Sequence, residues 1–315
     1  MPEPTEPGGP GRPDAEVHRR RRLVATLVSG GVIAIAIVLL AVTAGSAGTW
    51  DPAALQDGAK TELPKLRLEA QAEAAAREIA RQKAERQAES AAIDGVLQQN
   101  PQMSRAGSAR KEVALTFDDG PSPFTGQILD VLRKYKAKGT FFILGNQIET
   151  NPLPLQRILA EGNAVGNHSW NHADFTTLST GEIRNQLSDV NGTLSAKGIP
   201  APKLFRPPYG ARDDRVVSEA RKKGMLTVMW DVDTNDYKQP APQVIVDTVL
   251  QGASAGSIVL MHDGGGGRAS TVAALPGIIK GLRKRGFKLV TVPQLLRDNP
   301  PSLQDQIEVE RTPVA

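Results

Sequence analysis

Two histidines four residues apart, His168 and His172, stand in a chain of 315 residues that holds only four. On a helical turn, residues four apart share a face, so both imidazoles could reach one ion. The same spacing also arises by chance, and the pair alone establishes nothing. A third histidine, His262, lies in Leu260-Met261-His262-Asp263, and the fourth, His18, lies in a basic tail where a solvated role suffices. The chain has no cysteine, so any metal must be held by imidazole and carboxylate. Asp118-Asp119 offers the carboxylate. Before Gly120-Pro121-Ser122-Pro123 an acidic pair could be turn chemistry and no more. Read functionally, one carboxylate completes a His₂Asp site with an open position, and its neighbour stays free as a base.

Other polar outliers follow the same logic. Arg206-Pro207-Pro208-Tyr209-Gly210 could be a rigid surface turn with a salt-bridging arginine. Proline fixes φ, however, so the next free N–H, that of Tyr209, is held in a set direction, as an oxyanion hole requires. Asp231, Asp233 and Asp236 form a further acidic cluster. Tyr237 and Trp170 could line a groove or simply pack. Gly264–Gly267 carries no Lys-Ser/Thr and opens no helix, which argues against a phosphate cradle and reads as a mobile loop.

The elements that must position these groups alternate. Strands are expected at 113–117, 140–144, 164–167, 203–205, 226–230, 258–261 and 288–292. Helices are expected between them at 127–136, 153–160, 182–195, 215–223, 242–250 and 276–285. Repeated βα units imply parallel strands covered by helices. About 190 residues is short for an eight-fold barrel of ~250, so a reduced or distorted barrel is expected. Each polar cluster falls just after a strand, and the C-terminal ends of parallel strands are where such folds place active sites.

Taken in order, Thr116-Phe117-Asp118-Asp119-Gly120, His168-Ser169-Trp170-Asn171-His172, Arg206-Pro207-Pro208-Tyr209, Asp233-Thr234-Asn235-Asp236-Tyr237 and Leu260-Met261-His262 resemble the five motifs of the polysaccharide deacetylase (NodB-homology) family, carbohydrate esterase family 4. The resemblance implies an α/β fold, a distorted (β/α) barrel, that removes acetyl groups from polysaccharides with one divalent metal, zinc above others, cobalt being an alternative. It implies Asp119, His168 and His172 as metal ligands, Asp118 as general base and Arg206 as the residue that holds it. It further implies the Tyr209 N–H at the oxyanion, His262 as general acid positioned by Asp236, and Leu260 at the acetyl pocket. Pro208, Tyr209 and Tyr237 would contact substrate. Tyr237 stands where the family usually has Trp, a change to a groove wall rather than to the chemistry. Amide hydrolysis needs these parts, since the amine leaves only when protonated.

The N-terminal third reads as delivery apparatus. Residues 1–22 form a basic, Pro/Gly-rich tail ending in four arginines, expected on the cytoplasmic side. The 28 residues from Leu23 to Trp50 hold no charge, and a transmembrane signal-anchor is expected over 23–48. A cleaved signal peptide, cut near Ala47, is the competing reading. Residues 49–109 are expected as a solvated helical stalk and linker, since 60–94 holds ten Ala with seven basic and seven acidic residues but no lasting heptad seam. The deacetylase domain is expected over 110–298, and 299–315 as a disordered tail.

With 38 Lys+Arg against 34 Asp+Glu the net charge is +4, and no basic–aromatic stripe suggests nucleic acid. Peptidoglycan, at its N-acetylglucosamine residues, is the expected substrate for a monomeric enzyme held outside the cytoplasm. Chitooligosaccharide, poly-N-acetylglucosamine or N-acetylmuramic acid are alternatives. A non-catalytic glycan-binding module is the alternative of another class, and a pure binder has no need for an acid–base pair.

Overall fold

A computed structural model of the chain describes residues 52–301, with side chains from residue 67 onward. The expected tail 1–22, the anchor 23–48 and residues 302–315 lie outside the described residues. Among the described residues no helix is long and apolar enough to cross a membrane.

The described residues divide into two units, with the boundary between Ala74 and Ala75. Helix α1 (Pro52–Gln99) ends within the second, and strands and helices then alternate. The strands are β1 (Gln102–Met103), β2 (Glu112–Gly120), β3 (Thr140–Ile143), β4 (Ala164–Asn167), β5 (Leu204–Phe205), β6 (Leu226–Val228), β7 (Val232–Asp233), β8 (Ile258–His262) and β9 (Lys288–Val290). Around them lie α2 (Pro123–Lys134), α3 (Gly145–Thr150), α4 (Pro152–Ala160), α5 (Thr180–Ala196), α6 (Asp214–Lys222), α7 (Pro242–Gly252), α8 (Ala269–Lys284) and α9 (Val292–Asp298).

The strands make one curled sheet in the order β1-β6-β5-β4-β3-β2-β8-β7, with β9 also paired to β2, and every strand pair is parallel. One antiparallel bridge, Arg105 to Ser257, ties the segment after β1 to the start of β8. The sheet is thus a curled half-barrel rather than a regular eight-fold one. Two strands escape the sequence pattern, β1 and β7, because two residues carry no periodicity. Helix α8 begins at Ala269 rather than Pro276, which lies inside it. Proline normally opens a helix because its missing N–H costs nothing there.

Strand β2 is buried along all nine residues, as a central strand covered on both faces must be. Alternation sorts it. Val113, Leu115 and Phe117 pack outward with Ile128 and Leu132 of α2 and Ile278 and Leu282 of α8. Ala114 points the other way, into an inner cluster with Phe142, Leu226, Val228 and Ile258. Thr116 and Asp118 share that inner face by the two-residue period.

The inner cluster is completed by Val292, Leu295 and Leu296 of α9 and by Ile93, Val96 and Leu97 of α1. Lys203 pairs with Asp94 at 2.6 Å, and Arg297 approaches Glu89 at 3.5 Å. The last turns of α1 are therefore core, not a solvated spacer ending in a linker. The C-terminal edge also runs one residue past 298: buried Asn299 accepts from the Arg110 N–H at 2.7 Å and donates to Glu112 at 3.2 Å.

Candidate active site

The Asp118-Asp119 pair poses a geometric problem, since adjacent strand residues point to opposite faces. The structure solves it with a register irregularity. Asp118 pairs with Phe142 and Gly120 with Ile143, leaving Asp119 extra in β2. Asp119 takes a left-handed backbone, φ 76°, and such a bulge re-aims its side chain. Both carboxylates thereby reach one site.

His168 follows β4 directly, its N–H donating to Ile143 O at 3.0 Å. The expected helical turn linking it to His172 is absent. An irregular loop replaces it, with Ser169 at φ 82° and His172 at φ 62°, closed by the Ser169 N–H to Asn167 Oδ1 (2.8 Å) and the His172 N–H to Ser169 Oγ (2.9 Å). The imidazoles still converge, with ring centroids 5.2 Å apart. His168 Nδ1 lies 2.7 Å from Arg206 O. Donation to that carbonyl leaves Nε2 with its lone pair facing the site, the orientation a metal ligand needs.

Asp119 Oδ1 lies 3.4 Å from His168 Nε2 and 3.2 Å from His172 Nε2. It is buried with no hydrogen-bond donor assigned to it. One ligand atom from each of Asp119, His168 and His172 lies within 4.8 Å of the others. An orphaned carboxylate oxygen facing two imidazole nitrogens is a donor set lacking its cation, so the residues fit a divalent metal. Burial works to raise the Asp119 carboxyl, but the two imidazoles outweigh it and hold it far below the usual range. Burial likewise works to lower His168, while Asp118 and Asp119 hold it above its ordinary value.

Arg206 is fully buried inside the sheet. Its Nη1 donates to Asp118 Oδ1 (2.8 Å) and Thr116 Oγ1 (2.7 Å), Nε to Val228 O and Nη2 to Met229 O, both at 3.0 Å. The guanidinium also lies 4.1 Å from the centroid of Phe142. Four acceptors and an aromatic face satisfy a cation that could not otherwise be buried. Asp118 is thus fixed through Oδ1, with Oδ2 3.8 Å from His168 Nε2.

Across the site, His262 Nδ1 lies 2.7 Å from Asp236 Oδ1. Asp236 Oδ2 accepts from the His262 N–H (2.9 Å) and from Thr271 Oγ1 (2.6 Å). Burial works to lower His262, but Asp236 prevails and raises it; Asp236 in turn is held low by His262 and Thr271 against its own burial. Leu260 is buried two residues before His262, on the same face of β8. Pro208 is buried, whereas Tyr209 is 72% exposed at φ 60° with its ring edge-on to His172 at 4.4 Å. Tyr237, 46% exposed, meets His262 edge-on at 5.7 Å.

Not every polar outlier belongs here. Asp231 accepts from Ser257 Oγ and the Ile258 N–H at the opposite end of β8. Asp233 caps the neighbouring turn by accepting from the Asn235 N–H at 2.8 Å. Trp170 packs against the outer core beside Gly145. Gly264 is buried, and its N–H donates to Asp118 O at 3.2 Å, so the expected mobile loop is pinned at its start. The sequence assigns no role to Thr116, Thr271 or Asp263, since their partners lie far away in sequence. Asp263 is the one with a local sign, its place beside His262. Burial pushes its carboxyl up to about 7, with Asp119 and Asp118 adding to the rise and Thr125 and Gly120 opposing it.

The half-barrel and its Asp/His/His cluster agree with what comparison finds. The polysaccharide deacetylase profile matches residues 105–228. A peptidoglycan-N-acetylglucosamine deacetylase of Bacillus cereus is 43% identical over 190 residues, covering 59% of this chain and 89% of that protein. The peptidoglycan-N-acetylmuramic acid deacetylase PdaC of Bacillus subtilis is 43% identical over 196 residues, 62% of this chain but 41% of its own length. The crystal structure of the Bc1960 peptidoglycan N-acetylglucosamine deacetylase superposes with a TM-score of 0.61 at 36% identity, covering 63% of this chain and 94% of that one. The chain belongs to the polysaccharide deacetylase family. It is a deacetylase, and deacetylases of this family are metal-dependent.

Proposed function

We propose that the chain hydrolyses the N-acetyl groups of N-acetylglucosamine residues in peptidoglycan, releasing acetate and leaving the free amine on the sugar. The observation that carries this reading is the Asp119–His168–His172 cluster, flanked by a carboxylate on one side and an imidazole–carboxylate pair on the other. Relatives acting on peptidoglycan support the polymer. Two imidazoles and one carboxylate suit zinc, with cobalt as a substitute.

A divalent ion held by Asp119, His168 and His172 would polarise the acetyl carbonyl and acidify water for attack. Asp118 takes a proton from the attacking water through Oδ2, while Arg206 keeps Oδ1 in place. As the carbonyl carbon becomes tetrahedral, the Tyr209 N–H donates to the oxygen that gains charge. His262 then delivers a proton to nitrogen, the C–N bond breaks, and Asp236 stabilises the imidazolium before transfer. Leu260 packs the methyl group, and Pro208, Tyr209 and Tyr237 wall the sugar.

The sequence supports an N-terminus in the cytoplasm, a span over 23–48 and an extracytoplasmic catalytic domain, acting as a monomer.

The deciding experiment measures acetate released by the full-length protein from purified peptidoglycan and from a chitin oligomer, with added Zn²⁺, with chelator, and beside Asp118→Asn. Metal-dependent release from peptidoglycan that the variant loses is the expected result. Release from the chitin oligomer alone would keep the reaction and remove the polymer. No release from either would overturn the reading.

A further inference from the structure

The residue after the general acid is a fully buried carboxylate that the reaction above does not use. Asp263 makes every one of its polar contacts with the segment that carries the base and a metal ligand, or with the helix that follows it. Its N–H donates to Asp118 O at 2.9 Å. Its Oδ1 accepts from the Gly120 N–H at 3.1 Å and its Oδ2 from Thr125 Oγ1 at 2.5 Å. Its carbonyl accepts from Ser122 Oγ. Asp119 lies between the two gripped peptide groups.

The next residues press on the same place. A Cβ at Gly264 would lie 2.1 Å from Asp119 O, and one at Gly265, φ 69°, would lie 2.4 Å from Asp119 Oδ2. Only glycine lets the chain lie this close to the ligand carboxylate. Asp119 sits in a left-handed bulge that no regular ladder bond supports. Something else must hold it there, because such backbones persist only when their surroundings over-determine them.

We propose that Asp263 is a positioning residue: it clamps Asp118 O and the Gly120 N–H on either side of Asp119, fixing base and metal ligand against the acid His262. The inference rests on the assignment of Asp118, Asp119 and His262 above. It makes the segment after His262 part of the metal site without touching metal or substrate. The operative feature is a side chain that bonds both the Gly120 N–H and the Thr125 hydroxyl, not a negative charge.

The test uses the full-length protein with Asp263→Ala, Asp263→Asn and Thr125→Val. Zinc affinity is read by competition with a chromogenic chelator, and kcat and KM by acetate release. In Asp263→Ala the zinc Kd should weaken about 10- to 100-fold, as when metal ligands lose their outer partners. Its kcat should fall about tenfold or more, with KM within about threefold, because transition-state geometry rather than sugar contact is lost. Asp263→Asn should stay within about threefold of the parent, since its amide oxygen still accepts from Gly120 and the Thr125 hydroxyl can turn to accept. A folded Asp263→Ala with parental Kd and kcat would overturn the proposal, as would Asp263→Asn impaired as badly as the alanine. If Asp263→Ala does not fold, Thr125→Val carries the test: a weaker Kd with a lower kcat supports the clamp, and parental values overturn it. A parent protein that neither binds zinc nor releases acetate would instead overturn the site assignment, and the clamp with it.

Discussion

Asp118 and His262 are register partners on the neighbouring parallel strands β2 and β8. Their side chains therefore leave the sheet side by side, one held by Arg206 and the other by Asp236. The proposed base and acid are separated by one strand spacing rather than by a cleft between domains. Whatever bends this pair of strands moves both groups together.

Removing the base while keeping its shape isolates its contribution. Asp118→Asn should lower kcat by about 10²- to 10⁴-fold, the usual share of a general base. The secondary structure should stay intact, since Arg206 can still donate to the amide oxygen. Steady-state acetate release beside circular dichroism checks this. A folded variant with near-parental kcat would remove Asp118 from the mechanism.

The Asp236–His262 pair sets a pH limit. The raised pKa of His262 keeps the imidazolium, the form that donates a proton, present above the ordinary value of ~6.5. The alkaline limb of kcat should lie above that value, and Asp236→Asn should move it to lower pH. In stability terms the bonus from raised His262 is full below about 6.5 and is lost as pH climbs through the folded value. A pH–rate profile whose alkaline limb stays put in Asp236→Asn would contradict the pairing.

Metal removal should abolish activity, and Zn²⁺ or Co²⁺ should restore it. Because the imidazoles bind metal only when neutral, affinity should also fall as the solution is acidified. Equilibrium dialysis at pH 5 and pH 7 reads this directly. Equal affinity at both would speak against a two-histidine site.

The end of α1 offers a test away from the chemistry. Leu97 is buried in the cluster that also holds Leu295 and Leu296, so Leu97→Ala should cost about 2–5 kcal/mol, the range for core leucines. Deleting everything before residue 100 should destabilise further, because Ile93 and Val96 go too. Denaturant unfolding measures both. A fragment starting at 100 with parental stability would show that α1 contributes nothing to the core.

Much of this architecture can be read from local pattern. The run Val113–Phe117 has to be a central strand, and strand–helix alternation requires a parallel sheet. Clusters after strand ends then fall on one pole, as His168, Arg206 and His262 do. What escaped depends on contacts distant in sequence. No local signal makes Asp119 a bulge, and the loop from His168 to His172 is closed by side-chain bonds from Asn167 and Ser169 rather than by helical periodicity. Asp231 follows its expected strand, 226–230, as directly as His168 follows β4, yet its bonds run to Ser257 and Ile258, away from the site. The interior role of Ile93, Val96 and Leu97 was hidden because the rest of α1 carries few large apolar residues.

The bulge at Asp119 gives two chemically identical neighbours identities that cannot be exchanged. Deleting one residue from β2 would leave an Asp at the strand end, yet no length of strand with a regular pleat can present two consecutive side chains to one side. The doublet can therefore serve one site only together with its irregular backbone. A lineage that straightened this strand would lose either its base or its metal in a single step, while every other motif stayed in place.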